Sequence, residues 1–239
     1  MRWNRIIIAI AVTAMLSFAI VFVQYLFVGD VHSTDECVTE YTVTFNYGGW
    51  RAVDVEVGGI SDCNGQHLCR IFGKCCDYLF YMDGDPWVRA IADQIYAMSD
   101  DDIERMMLAC RFVRHAITYA ADGDVHGVYD YRQYPVETLT YRTGDCEDMS
   151  ILCVSILRAM GYDTYAISGN DHCMVAVYWE DGDVDIYGHM SVVLDPTSGV
   201  RKSAVSSEYI PCDRIWCATW LSAYLMVLSG VLLLARKGW

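Results

Sequence analysis

The sequence is poor in lysine, with 3 lysines against 14 arginines, and it contains no Cys-x-x-Cys pair, no internal repeat and no low-complexity linker. Acidic residues outnumber basic ones by 31 to 17, which gives a formal net charge of −14. Because this charge repels phosphate backbones, nucleic acid is not an expected partner. The absence of Cys-x-x-Cys excludes the usual zinc-ribbon and thioredoxin-like motifs. A hydrophobic fraction of 54% excludes a disordered chain.

Two apolar stretches, Ile6–Val28 and Ile215–Ala235, are each long enough to cross a bilayer. Two arginines precede the first stretch and an Arg-Lys pair follows the second, so the positive-inside rule predicts that both termini are cytoplasmic. The alternative for the first stretch is a cleaved signal peptide, although its apolar run is longer than is usual for one. The alternative for the second is a buried core helix. We predict a cell-membrane protein with two transmembrane helices and an extracellular central block.

The two stretches divide the chain into four predicted parts. These are an N-terminal transmembrane anchor (1–28), a β-rich and cysteine-rich segment (29–85), a main domain (86–213) and a C-terminal transmembrane helix with a basic tail (214–239). The central block is large enough for one ordinary domain and a small appendix. A two-domain soluble enzyme and a multi-span transporter are therefore both excluded.

Eleven cysteines suit an extracellular location, where disulfides persist. Five of them cluster early in the chain, at Cys37, Cys63, Cys69, Cys75 and Cys76. We expect disulfides in this cluster, with no pairing predicted, and the odd total permits five bridges and one free thiol. A zinc site formed by Cys63, His67, Cys69 and Cys75 is the alternative, but the spacings do not match the usual ligand pairs.

Hydrophobic periodicity predicts the element order β, α, α, α, β, β, β. The predicted elements are strands within 38–57, helices opening at Asp85-Pro86, at Ser99–Asp102 and at Cys146, a long loop over 121–136, and strands near 162–168, 172–179 and 184–194. This order indicates an α+β fold in which an antiparallel sheet packs on a helical layer.

Cys146 opens the third predicted helix, with Asp145 as its N-cap and Asp148 at the third helical position. The positive end of the helix dipole favours a thiolate there, and the backbone N–H groups of the first turn could hold an oxyanion. Cys146 is thus a candidate nucleophile. The alternative is that it is a disulfide partner.

A nucleophilic cysteine needs a base, and the base needs a group that orients it. His172 begins an apolar strand and Asp195 ends the last one, so adjacent antiparallel strands could place the two side by side. A surface histidine and a turn-forming Asp-Pro are the simpler interpretations. Asp185 and His189 are rival candidates within the intervening hairpin, with His189 the alternative base.

Three runs, Tyr134–Leu139, Gly144–Asp148 and Leu157–Tyr162, together resemble the core of the transglutaminase-like (papain-like) superfamily over roughly residues 86–200. In that superfamily, a Gly-Asp-Cys-x-Asp run opens the helix that carries the nucleophile, and a histidine and an aspartate follow on strands. The resemblance implies a Cys146, His172, Asp195 triad. His115 and His126 precede the nucleophile, outside the family's order.

The resemblance implies a cysteine protease or amidase that acts on a protein or peptide substrate, with hydrolysis favoured over transfer to an amine. A non-catalytic binding or scaffold module on the same fold is the alternative from another class. No cofactor and no metal site is predicted. Asp181–Asp185 resembles a calcium loop, but Val192 stands where a bidentate glutamate is needed, so we expect a solvated turn there and make no prediction on calcium dependence.

Overall fold

The computed structural model describes residues 37–48, 51–61, 81–127, 131–169, 172–205 and 210–211. Both predicted transmembrane helices, and the side chains of the early cysteine cluster, lie outside the described part. Within these ranges, no helix has the length and apolar character needed to cross a membrane.

The N-terminal strands form a hairpin, as the alternating pattern predicts. β1 (Cys37–Tyr47) and β2 (Arg51–Ser61) pair antiparallel, with Val43 opposite Val55. The inward-facing side chains, Val43, Phe45, Val53, Val55 and Val57, are buried in the same apolar core as the helices. The hairpin therefore shares a core with the residues that follow it.

Two capped helices follow. α1 (Pro86–Tyr96) begins after Asp85, whose Oδ1 accepts the Trp87 N–H at 2.8 Å. α2 (Asp102–Ala116) begins after Asp101, whose Oδ1 accepts the Glu104 N–H at 2.8 Å. Both helices bury apolar side chains at helical spacing, for example Ile91 and Ile95 of α1 and Met106 and Val113 of α2. The predicted starts are confirmed because an aspartate that binds the free N–H groups of the first turn is a strong local signal.

The stretch predicted as a long loop contains more structure than expected. β3 (Thr118–Tyr119) pairs parallel with β4 (Thr143–Gly144), and the short helices α3 (Asp122–Val125) and α4 (Pro135–Tyr141) lie between them. α4 has proline at its first position, and the Glu137 carboxylate accepts the Tyr134 N–H at 2.8 Å. Within the predicted loop, 121–136, the prediction was wrong for α3 and for the first two residues of α4, because short helices of this kind carry little periodicity.

The central helix α5 (Cys146–Ala159) is buried on almost every side. It packs against α1, α2 and α4 and against two strands of the main sheet, β5 (Thr164–Gly169) and β6 (His172–Tyr178). It ends before Gly161, which has φ +95°, a conformation that a side chain disfavours. Its first residue, Cys146, is therefore held in place by the whole core.

The main sheet has the strand order β10-β5-β6-β8-β7, with β9 added to β8, and every pairing is antiparallel. Its strands are β5 (Thr164–Gly169), β6 (His172–Tyr178), β7 (Val184–Ile186), β8 (His189–Asp195), β9 (Val200–Lys202) and β10 (Ile210–Pro211). The antiparallel sheet and the helical layer are confirmed. The single strand predicted over 184–194 is in fact two, because Tyr187 and Gly188 both adopt positive φ and turn the chain.

Candidate active site

Cys146 is the first residue of α5, directly after the N-cap. Asp145 Oδ1 accepts the N–H groups of Glu147 at 3.2 Å and Asp148 at 3.5 Å, and Asp148 Oδ2 accepts the Asp145 N–H at 3.3 Å. This reciprocal arrangement is the capping box predicted from the sequence. The Glu147 and Asp148 N–H groups are thus occupied by the cap, which leaves the other N–H groups of the first turn as the expected oxyanion donors.

Gly144 is needed because Asp148 lies against it. A Cβ at residue 144 would approach the Asp148 Cβ to 2.8 Å, so a larger residue would displace that carboxylate. Asp148 is fully buried, and its Oδ1 accepts the Gln133 N–H at 2.7 Å. The glycine and aspartate of the Gly-Asp-Cys-Glu-Asp run therefore join the start of α5 to the segment that precedes α4.

Three carboxylates converge near the N-terminus of α5. Oxygens of Asp122, Asp145 and Asp148 lie within 4.8 Å of one another, and Asp122 and Asp148 are buried. Burial, with the neighbouring Glu147 and Asp148 next, raises the pKa of Asp145 to about 9. Burial likewise raises the pKa of Asp148, against the lowering effect of its hydrogen bond from Gln133. Such a cluster can share protons or hold a divalent cation.

The Cys146 thiol faces a further carboxylate. Its Sγ donates to Glu147 Oε2 at 3.1 Å. Burial raises the pKa of the Cys146 thiol, and Glu147, both through its charge and through this hydrogen bond, raises it further. The expectation that the helix N-terminus lowers this pKa was wrong for this arrangement, because burial and nearby negative charge favour the neutral thiol.

His172 and Asp195 lie together at one end of the sheet. β6 and β8 pair with Val175 opposite Leu194, and that register puts Asp195 opposite Met174, diagonal to His172 on the same face. His172 Nε2 is 3.4 Å from Asp195 Oδ1. The sequence-based expectation of two neighbouring strand ends is met for this pair. Cys146 belongs to the same core cluster as Cys173, the residue that follows His172.

The Asp195 carboxylate is strongly held. Oδ1 accepts Thr197 Oγ1–H at 2.6 Å and Thr197 N–H at 3.1 Å, and Oδ2 is 3.0 Å from Lys202 Nζ. Burial opposes ionisation of this group, but the hydrogen bonds from Thr197, Lys202 and Ser198 outweigh it and lower the pKa of Asp195 to about 2. Asp195 is therefore a carboxylate at neutral pH.

The rival residues lie elsewhere. His189 begins β8 at the end opposite Asp195, about 20 Å along the strand at the usual rise, and its ring contacts Tyr178 with centroids 4.9 Å apart. Asp185, on β7, is exposed and accepts the Gly188 N–H at 2.6 Å. His115 stacks on Phe45, with ring centroids 5.4 Å apart. None of these contacts connects His189, Asp185 or His115 with Cys146.

Sequence reasoning missed two residues of the site, Lys202 and Asp122, and gave Glu147 only a local role. Lys202 lies on the short strand β9, which brings it to Asp195. The sequence feature that could have indicated this strand is Gly199, where the chain turns back along β8. Asp122 lies more than 20 positions before Cys146 in a segment without periodicity, and no local signal could have found it.

The four cysteines whose side chains the structure describes outside the early cluster, Cys110, Cys146, Cys153 and Cys173, are all free. Since 11 − 4 = 7, at most three bridges can form among the others, not five. Cys146 is the most accessible of the four at 8% exposed, against 0–3% for the rest. A disulfide is therefore not the role of Cys146 in this structure.

Comparison with known proteins agrees with this description. Residues 89–187 match the model of the transglutaminase-like superfamily. No curated protein sequence matches the chain.

Among solved structures, Legionella pneumophila LapG in an EGTA-treated form is similar at 19% identity and a TM-score of 0.38, over 52% of this chain and 69% of that one. A Cytophaga hutchinsonii protein, named provisionally as a cysteine protease, is similar at 12% identity and a TM-score of 0.38, over 76% of this chain and 75% of that one. The Gly-Asp-Cys-Glu-Asp run that contains Cys146 lies within the matched residues, so this part of the chain is similar to the transglutaminase-like superfamily.

Proposed function

We propose that this protein is a cysteine hydrolase that cleaves peptide or side-chain amides through Cys146, His172 and Asp195. The observation that carries the proposal is the 3.4 Å contact between His172 Nε2 and Asp195 Oδ1, because the strand that His172 begins packs against the helix opened by Cys146. The alternative, a binding module that has kept the fold, does not explain why a buried, ionised Asp195 is aimed at a histidine.

The mechanism follows from the two ring nitrogens of His172. Because Nε2 faces Asp195, Nδ1 is the nitrogen left to take the thiol proton. The Cys146 thiolate then forms a bond to the substrate carbonyl carbon. Collapse of the tetrahedral adduct breaks the C–N bond, and the leaving amine takes the proton from His172. Water, deprotonated by His172, cleaves the resulting thioester and regenerates the thiol.

Transfer to an amine differs only in the second nucleophile, and it is the alternative within the enzyme class. The resemblance to the transglutaminase-like superfamily favours water over an amine as that nucleophile. Hydrolysis therefore remains the proposal. Adding a primary amine to the assay distinguishes the two, because transfer would convert the acyl group into an amide, whereas hydrolysis would still release the free acid.

The proposal includes location. The apolar stretches Ile6–Val28 and Ile215–Ala235 with their basic flanks support a membrane anchor at each end, with the hydrolase domain outside the cell and a protein or peptide as substrate. Both stretches lie outside the described residues, so this part of the proposal depends on the sequence alone.

Replacing each of two histidines tests the assignment of the base. With p-nitrophenyl acetate as the acyl donor, His172→Ala should lower turnover by about 10²–10⁴-fold, the usual effect of losing a general base. His189→Ala is the matched control, since it removes an exposed strand-start histidine at the other end of the sheet, and it should keep most of the activity. The reverse ranking would place the catalytic strand one hairpin later and refute the proposed triad.

A further inference from the structure

Asp195 presents each of its two oxygens to different partners. Oδ1 faces His172 Nε2 at 3.4 Å and also accepts two hydrogen bonds from Thr197. Oδ2 is 3.0 Å from Lys202 Nζ. The Asp195 side chain is only 6% exposed and that of Lys202 is 37% exposed, so the ion pair lies at the edge of the buried region. A cation thus lies next to the carboxylate on the side away from the histidine.

The turn after β8 determines this contact. The Ser198 and Gly199 N–H groups donate to the Asp195 carbonyl at 3.2 and 2.8 Å, and Gly199 has φ +70°. The chain then returns as β9, with Val193 opposite Lys202 and Asp195 opposite Val200. Lys202 and Asp195 are therefore diagonal neighbours on one face of the sheet. The position of Lys202 therefore depends on the left-handed conformation of Gly199 and on the register between β8 and β9.

We propose that Lys202 is a positioning residue of the site: it fixes Asp195 through Oδ2, so that Oδ1 faces His172, and it offsets part of the carboxylate charge that His172 experiences. This inference rests on the proposed function. An imidazole that must take and return a proton works best when neither protonation state is strongly favoured. An uncompensated buried carboxylate would favour the imidazolium form, and the ammonium group of Lys202 counteracts that preference.

Other ionisable groups surround the pair. α2 contributes the Cys110 thiol, whose pKa burial raises and on which both Asp195 and Lys202 act, and it also carries Arg111. α5 contributes Cys146 and Glu147. β5, on the other side of β6, places Gly169 opposite His172 and carries no charged side chain. Among these groups, Lys202 is the cation in direct contact with Asp195. Removing Lys202 should therefore change the charge next to Asp195 more than removing any other of these groups.

Arg201 supplies the matched control. It precedes Lys202 on β9, lies opposite Leu194, and pairs with Asp183 Oδ2 at 2.6 Å rather than with Asp195. Lys202→Met and Arg201→Met both remove one cation from the same strand. Only the first removes a charge that contacts the Asp195 carboxylate. Lys202→Arg keeps the charge and serves as the conservative variant.

The experiment follows the His172 imidazole by NMR during a pH titration of the full chain carrying Cys146→Ala. Lys202→Met should raise the titration midpoint by about one pH unit, because removing the cation stabilises the imidazolium. Lys202→Arg should restore most of the native midpoint, and Arg201→Met should leave it unchanged. If Lys202→Met does not fold, Lys202→Gln removes the same charge with a polar side chain. An unchanged midpoint in the neutral variant, or an equal shift in Arg201→Met, would overturn the inference.

A second readout separates this inference from the proposed function. In the chain with Cys146 intact, the acidic limb of p-nitrophenyl acetate turnover should move to higher pH in Lys202→Met, by the same amount as the NMR midpoint. If the native chain shows no turnover, the proposed hydrolase fails, while the NMR titration still decides the role of Lys202. A purely structural lysine would change stability without moving either midpoint.

Discussion

At the N-terminus of α5, oxygens of three aspartates lie within 4.8 Å of one another, whereas at the ends of β6 and β8 a single aspartate is met by a lysine, a threonine and a histidine. At the first region, the helix end, burial is the largest cause that raises the pKa of Asp145 to about 9. At the second region, the sheet end, the pKa of Asp195 is lowered to about 2. Both regions bury carboxylates and supply backbone N–H donors to them, but the sheet end adds the ammonium group of Lys202 and the hydroxyl group of Thr197. The Asp195 carboxylate and the crowded carboxylates of the helix end therefore differ in their partners more than in their burial.

The two regions should also respond to pH with opposite signs. A carboxyl group whose pKa is raised on folding stabilises the folded state below its unfolded pKa, and this contribution is lost as pH rises through the folded pKa. Asp145 is in this class. A carboxyl group whose pKa is lowered stabilises the folded state above its unfolded pKa, and this contribution is lost as pH falls. Asp195 is in this class, so the two groups together favour the folded state most at about pH 4, close to the ordinary pKa of an aspartate.

The largest effect expected from altering the helix end is on the Cys146 thiol. Glu147→Gln removes the carboxylate that accepts the thiol hydrogen bond, so the thiol pKa should fall and alkylation by iodoacetamide at pH 7 should accelerate about tenfold. Peptide mapping over time, with a chelator present, measures the rate at Cys146. Glu180→Gln, in an exposed turn, is the control and should leave the rate unchanged. An unchanged rate in Glu147→Gln would mean that Glu147 does not lower the reactivity of the Cys146 thiol.

A smaller effect is expected at the sheet end in acid. The folded-state pKa of Asp195 is about 2, below its ordinary value, so its contribution to stability should be lost as pH falls from about 4 to 2. After allowance for solvent screening, this contribution is on the order of 1 kcal/mol. Urea unfolding at several pH values should show a shallower acid decline in Asp195→Asn than in the native chain. An equal decline of the unfolding free energy in both chains would show that folding does not lower the pKa of Asp195.

The local parts of this comparison were predictable from the sequence, and the long-range parts were not. The Asp145 cap and Cys146 at the first helical position follow from five consecutive residues, because a capping box is a local structure. The contact of His172 with Asp195 required only that neighbouring strand ends meet. Lys202 and Asp122 depend on pairings and burial between distant segments. The raised pKa of Cys146 could not be predicted either, since it results from burial and from the rotamer of Glu147.

The most direct test of the central claim is to find where an acyl group is first attached. Native chain treated with p-nitrophenyl acetate, quenched in acid and digested should carry an acetyl thioester on Cys146, with the buried Cys110, Cys153 and Cys173 unmodified. Cys146→Ala should lose both the acetyl group and the burst of p-nitrophenol. An acetyl group on another residue, or an equal burst from Cys146→Ala, would contradict the assignment of Cys146 as the nucleophile.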